Sequence, residues 1–115
     1  MIPEILKIQI GRRRFKNNGS RRLSYLKVQN AQWAFDHADK SDAALVAKLQ
    51  AELTESEVVY LKATVSTVSR IAGYFQGEIR KCRSREERAN LKATFGHQQA
   101  IIAAAKAELA SRGIK

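Results

Sequence analysis

The sequence is poor in the residues that build disulfides and metal centres. Its 115 residues include one Cys and two His, which are too few for an internal disulfide or a cysteine-based zinc site. No apolar run approaches the roughly 18 residues of a membrane span, and Met1-Ile-Pro-Glu lacks the charged and then apolar layout of a signal peptide. The sequence therefore predicts a reduced, cytoplasmic setting, with no membrane, no metal and no cofactor.

Motifs for catalysis are also missing. The chain has no P-loop, no Gly-rich dinucleotide turn and no H-E-x-x-H motif. His37 and His97 have no nucleophile or ligand at an instructive spacing, and Cys82 falls on an apolar helix seam, where it packs as a small apolar residue. We therefore expect no catalytic residue and predict that the protein is not an enzyme.

Acidic residues are scarce, and the excess of positive charge is unevenly distributed. The chain has 21 Lys and Arg against 11 Asp and Glu, a formal charge of +10. Residues 1–30 carry +7, residues 31–69 carry −3 and residues 70–115 carry +6. Solubility alone does not require such segregation, because interspersed charges would serve it as well. Two basic regions that flank an acidic middle predict an anionic partner.

The helical pattern is clearest after Thr54. Apolar residues make up 44% of the chain, which is enough for one modest core. Thr54-Glu55-Ser56-Glu57 has the form of a capping box, in which the Thr hydroxyl accepts the Glu57 amide. The apolar positions that follow alternate spacings of three and four, which predicts a heptad seam on a long helix: Val58, Leu61, Val65, Val68, Ala72, Phe75, Ile79 and Cys82.

A second capping box, Ser84-Arg85-Glu86-Glu87, opens a second long helix with Gly113 just past its end. The turn between the two helices is so short that they must lie antiparallel. The sequence thus predicts a mainly α fold: a helical bundle built on a long antiparallel αα-hairpin of about 54–82 and 84–112. Ser41-Asp42 predicts a short helix of about 41–53 packed on it.

The N-terminal part of the chain is ambiguous. The alternation of Leu6, Ile8 and Ile10, with Asn18-Gly19 as a turn pair before a second strand at residues 23–28, favours a β-hairpin. A helix is the second alternative, because one of its faces would hold Ile2, Ile5, Leu6 and Ile10. An arm without regular structure is the third. Residues 30–38 indicate a helix that reaches back as far as Leu23. A boundary near residue 30 divides the chain into a basic N-terminal segment, residues 1–29, and a helical domain, residues 30–115.

Two basic clusters are the candidate binding sites for nucleic acid, because guanidinium groups bind phosphate oxygens through paired hydrogen bonds. Arg85 and Arg88 crowd the start of a helix, where positive charge is disfavoured, and with Lys92 they form a line on one helix face. Glu86 and Glu87 offset this cost in part, and the remainder points to an external anion; the alternative is a solvated helix face. The candidate residues are Arg12, Arg13, Arg14, Lys16, Arg21 and Arg22 in the first cluster, and Arg83, Arg85, Arg88 and Lys92 in the second.

Two glycines on the first long helix suggest self-association. Gly73 and Gly77 lie with Ser69 on a stripe beside the seam, and each glycine costs a helix roughly 1 kcal/mol relative to Ala unless a closely packed partner recovers it. The stripe predicts a close helix crossing, within the chain or with a second copy, and a homo-oligomer. The alternative is a tolerated weak spot in the helix.

These features lead to one functional hypothesis and one alternative. The first is a small basic protein, not an enzyme, that grips the phosphate backbone of DNA or RNA through its two clusters with low sequence specificity. The alternative is a helical protein–protein interaction module, such as an adaptor, an inhibitor or a subunit of a complex, that docks on an acidic partner. Both hypotheses use the same charges.

Overall fold

The protein is mainly helical. The computed structural model describes residues 2–7 and 19–114. Within these ranges there is no β-strand, and the helices pack against one another. The elements are a 3-10 turn, Glu4–Leu6, followed by the helices α1, Gly19–Asp36, α2, Ala43–Lys81, and α3, Arg85–Ser111.

The β-hairpin predicted at the N-terminus is wrong where the structure describes it. Its second strand would be residues 23–28, and these belong to α1. The helix forms because Tyr25 and Val28, three residues apart, are both buried on one helical face, in the same core as residues of α2 and α3. Of the predicted turn pair, Asn18 lies outside the described residues and Gly19 is the first residue of α1. The helix predicted for residues 30–38 is confirmed over most of its length, but α1 begins earlier and runs through the boundary proposed near residue 30.

The separate short helix predicted for residues 41–53 is also wrong, because α2 continues through it without a break. Its true N-cap is Asp42, whose carboxylate accepts a hydrogen bond from the Leu45 amide at 3.1 Å. Thr54 does not cap a helix, since its hydroxyl donates to the Gln50 carbonyl one turn earlier, at 2.9 Å. Leu53 is buried in the core, and this burial holds the residues around the capping-box sequence inside one helix.

Thr54 lies inside a helix and Ser84 caps one, so the loss of each hydroxyl should affect stability differently. Thr54→Ala should change the free energy of unfolding by less than about 0.5 kcal/mol, because Thr54 is an exposed residue inside a helix and Ala is the better helix former. Ser84→Ala should cost about 1 kcal/mol, because the Ser84 hydroxyl accepts from the Glu87 amide at 3.3 Å as the N-cap of α3. Urea denaturation measures both, and a larger loss for Thr54→Ala would mean that a helix starts at Thr54.

The central helix α2 packs against α1 on one side and α3 on another. Tyr60 and Thr64 meet α1, where Tyr60 stacks at a tilt on Tyr25 with ring centroids 5.1 Å apart. Leu61 and Val68, from the predicted seam, are fully or almost fully buried on the neighbouring stripe. The buried surface of α2 is therefore wider than a single heptad seam, because two helices share it.

A polar cluster fastens residues 2–7 to this core. The Tyr60 hydroxyl donates to the Leu6 carbonyl, and the Arg21 guanidinium donates to the same carbonyl at 3.2 Å and to the Thr64 hydroxyl at 3.1 Å. The Arg21 guanidinium also lies 5.7 Å from the centre of the Tyr60 ring. Burial raises the pKa of Tyr60 above its ordinary value, so the hydroxyl keeps the proton that it donates to Leu6.

The helix α3 follows α2 after the link 82–84, and its last turn reaches Glu57 near the middle of α2. Arg112, at the end of α3, donates to Glu57 at 3.3 Å and to Glu108 at 3.1 Å. Burial disfavours the charge on Arg112, but the hydrogen bonds with Glu108 and Glu57 outweigh it and raise the pKa of Arg112. Gly113 follows with φ of 75°, the left-handed conformation expected of a residue just past a helix end.

Candidate nucleic-acid interface

The link between α2 and α3 is a tight connection that brings two helix ends together. The Cys82 amide donates to the carbonyls of Glu78 and Ile79, at 3.0 and 3.3 Å, and closes α2. The Ser84 hydroxyl caps α3, and the Arg88 amide donates to the Ser84 carbonyl at 2.9 Å as its first helical bond. Charged side chains from the last turn of α2 and from the start of α3 therefore lie beside the same link.

Six cations surround this link, and we call them the tip cluster. All six are exposed. Within the described part of the chain, none of them forms an ion pair with a carboxylate. The cluster therefore presents its charges to the solvent. Its members are Arg80, Lys81, Arg83, Arg85, Arg88 and Lys92.

Three members of the tip cluster have local structural roles. Arg80 and Lys81 lie in the last turn of α2, where cations complement the negative end of the helix dipole. The Arg88 guanidinium donates to the Cys82 carbonyl, so this side chain helps to close the link. The side chains of Arg85 and Lys92 make no hydrogen bond or ion pair among the described residues. Arg85, in the first turn of α3, is therefore the cation whose position is least explained by contacts among the described residues.

The structure divides the first predicted cluster. Arg12, Arg13, Arg14 and Lys16 lie outside the described residues. Arg22 is half-buried on α1. Arg21 is only 7% exposed, and its guanidinium is used in the polar cluster around Tyr60. Arg21 is thus a residue of the core, a placement that its position in a basic stretch of sequence does not reveal.

The two glycines of α2 face open space. A Cβ atom built on Gly73 or Gly77 would meet no other atom within 4 Å. The described residues of this chain therefore make no close helix crossing at that stripe, and the crossing expected within the chain is wrong. A close helix crossing at these glycines with a second copy of the chain stays a prediction.

A cleft of about 530 Å³ opens elsewhere, between the N-terminal segment, α1 and α2. Its walls carry two carboxylates, Asp36 and Glu57, together with the cation Lys7 and the ring of Trp33. Glu57 is bonded to Arg112, and Lys7 pairs with Glu4 at 3.0 Å. The cleft has charges of both signs, most of them engaged, so it does not select an anion and is separate from the tip cluster.

The side chains of His37 and Cys82 contact neighbouring residues of the fold. The His37 ring lies 4.2 Å from the Trp33 ring and stacks on it, with Nδ1 2.9 Å from the Trp33 carbonyl. The Cys82 thiol is half-buried and 3.4 Å from the Ser84 carbonyl. In residues 2–7 and 19–114, no three His, Cys, Asp or Glu side chains gather as ligands for a metal ion. No helix in this part of the chain is both long and apolar enough to cross a bilayer.

The sequence matches no protein-family model, and comparisons with curated proteins and with solved structures also give no match. Its function must therefore be inferred from the charges and contacts of this chain.

Residues on α3 that sequence reasoning passed over continue the line of cations away from the link. Gln99 and Lys106 are exposed and follow Arg85 and Lys92 at intervals of seven residues. A heptad interval returns to nearly the same side of a helix. The sequence itself carries this repeat, but its positions are polar and therefore do not belong to an apolar seam.

Proposed function

We propose that this protein is a small, non-enzymatic nucleic-acid-binding protein that grips the phosphate backbone of DNA or RNA with low sequence specificity. In this proposal α2 and α3 form a long antiparallel hairpin, and its turn presents the tip cluster to the phosphates. The N-terminal stretch with Arg12, Arg13, Arg14 and Lys16 supplies a second set of cations, together with Arg22.

One observation carries the proposal: the tip cluster gathers six exposed cations that have no carboxylate partner among the described residues. Arg85 in particular lies in the first turn of α3, where the positive end of the helix dipole disfavours it. Glu86 and Glu87 in the same turn offset part of this cost, but Arg85 itself has no carboxylate partner among the described residues. A phosphate group would remove the cost, because the same amide dipoles that repel Arg85 attract an anion.

Binding would proceed mainly by charge neutralisation. Arginine and lysine side chains replace the counterions condensed on a nucleic acid, and release of these counterions drives association. Contacts to phosphate position the protein but carry no sequence information. The proposal also includes self-association into a homo-oligomer, which would multiply the phosphate contacts, and a cytoplasmic location, where the lone Cys82 stays reduced.

A salt titration of the full chain with duplex DNA, duplex RNA and single strands tests the proposal. If about five to seven phosphates are neutralised, the logarithm of the affinity should fall with the logarithm of the salt concentration at a slope of roughly −4.5 to −6. Fluorescence anisotropy measures this slope, and sedimentation in the same buffers measures the oligomeric state.

Two outcomes would count against the proposal. The first is the absence of binding at about 50 mM salt, where backbone contacts are strongest. The second is a flat salt dependence, which would mean that the cations take no part. If an acidic protein then binds the same surface, the interaction-module hypothesis replaces it.

A further inference from the structure

We propose that the outer face of α3 enters the major groove of duplex DNA, so that the protein binds along this helix and not at the tip cluster alone. The inference depends on the proposed function and specifies the nucleic acid that is bound, duplex DNA. It comes from two parallel lines of exposed residues. The first line is Arg85, Lys92, Gln99 and Lys106; the second is Ala89, Gly96, Ala103 and Ala110.

The first line supplies the charge. Its residues are seven apart, a spacing that keeps them on one side of the helix with a drift of about 20° per interval. Arg85, Lys92 and Lys106 are exposed and form no ion pair within the described ranges. The fourth member, Gln99, offers an amide, which can donate to phosphate oxygens and to the edges of bases. Neither line contains a carboxylate.

The second line supplies the shape. Three Ala residues and Gly96 give this line no side chain larger than a methyl group, and a Cβ atom on Gly96 would meet nothing within 4 Å. The major groove of B-form DNA is about 12 Å wide and admits an α-helix, whose diameter with side chains is about 10–12 Å. A helix face made of Ala and Gly is slimmer than average and can approach the floor of the groove.

The positions of the cations also fit a helix that crosses a groove. Arg85 and Lys106 are 21 residues apart, or about 32 Å along the axis at 1.5 Å per residue. A straight helix cannot follow the curved groove over that length, so its ends pass near the phosphates on either side. Arg85 and Lys106 at the two ends can contact these phosphates, while Gly96 and Ala103 lie between them in the groove.

This geometry selects a DNA duplex. The major groove of A-form RNA is deep and narrow, and side chains on a helix cannot read it. Single strands bind mainly by stacking of bases on aromatic rings, and the two lines have no aromatic residue. A second copy of α3 is disfavoured, because an isologous contact would place Arg85, Lys92 and Lys106 of the two chains against each other with no carboxylate between them.

A pair of matched variants tests the charge line. Lys106 lies 21 or more residues along α3 from the link. Its loss would therefore not change the affinity of a protein that binds through the tip cluster alone. Lys106→Ala should weaken binding of the full chain to a 20-base-pair duplex about five- to tenfold near 100 mM salt and flatten the salt slope by about one. Lys62→Ala removes an exposed lysine on α2 and should leave the slope within about 0.3 of the parent.

A second pair tests the shape. Ala103→Leu adds bulk to the groove-facing line and should weaken binding at least about tenfold, because the helix can no longer reach the floor of the groove. Ala47→Leu makes the same change at an exposed position in the acidic part of α2 and should not alter binding. Both variants keep the helix, since Leu is a good helix former, and circular dichroism verifies this. Duplex DNA should bind more tightly than duplex RNA of the same length.

The outcomes separate this inference from the proposed function. If the parent binds neither DNA nor RNA at low salt, both are overturned. If the parent binds with a steep salt slope but Lys106→Ala and Ala103→Leu behave like it, only the tip is used and the groove-binding inference is wrong. Equal or tighter binding of duplex RNA also contradicts it, while leaving phosphate binding in place. Loss of a dimer in Ala103→Leu would assign the face to a second copy instead.

Discussion

Tyr60→Ala should cost about 3–5 kcal/mol of unfolding free energy, the range for an aromatic residue removed from a closely packed core. The Tyr60 side chain is fully buried, and its ring packs on Tyr25 and under the Arg21 guanidinium. Its removal also takes away the hydroxyl that donates to the Leu6 carbonyl. For a domain with a stability of about 5–15 kcal/mol, this loss is large enough to populate unfolded chains at moderate temperature.

Two further variants divide the effect of Tyr60 into its parts. Tyr60→Phe keeps the ring and loses only the hydrogen bond, so it should cost about 1 kcal/mol. Tyr74→Ala removes a ring that is 64% exposed and should cost less than about 1 kcal/mol. Urea denaturation followed by circular dichroism measures all three. A Tyr60→Ala protein as stable as the parent would show that α1 does not pack on α2 at this point.

The combined variant Arg83→Ala, Arg85→Ala, Lys92→Ala should weaken binding to nucleic acid about a hundredfold near 100 mM salt and flatten the salt slope by about two to three. These three cations are exposed and make no ion pair within the described residues. Arg88 is left in place because it donates to the Cys82 carbonyl, so its loss would disturb the link itself. All sequences should be affected alike, since phosphate contacts carry no sequence information.

The control for this prediction removes the same amount of charge elsewhere. Lys27, Lys48 and Lys62 are exposed lysines on α1 and α2, away from the link. Their combined replacement by Ala lowers the net charge equally and should leave the slope almost unchanged. If both triple variants weaken binding to the same degree, only the total charge matters and the tip cluster is not a site.

Short-range sequence signals predicted the ends of helices best. The N-cap at Ser84 and the left-handed Gly113 were both expected. The helix α3 begins and ends within one residue of the predicted positions. A cap involves atoms three or four residues apart, so its chemistry is readable from the sequence. The helix start predicted from the capping-box sequence at Thr54 is wrong, because contacts between distant segments decide the structure there. Burial of Leu53 and its neighbours in a continuous helix outweighs the local preference for a cap.

The width of the core and the placement of the binding residues were less predictable. The apolar seam on α2 predicted Leu61 and Val68 correctly but omitted Tyr60 and Thr64, which are buried because α1 covers a second side of the helix. A heptad pattern anticipates one partner helix, and nothing in the spacing states that a second one packs beside it.

The sequence by itself determined the helical character of this protein, the link between its two longest helices and the concentration of positive charge near that link. Helix propensity, caps and charge are properties of residues and their near neighbours along the chain. Only the tertiary structure decided which cations are accessible. The Arg21 guanidinium is buried through hydrogen bonds to Thr64 and Leu6, which are 43 and 15 residues away in the chain, while Arg85 has no partner among the described residues. Burial depends on which distant segments pack together, and that is a property of the folded chain.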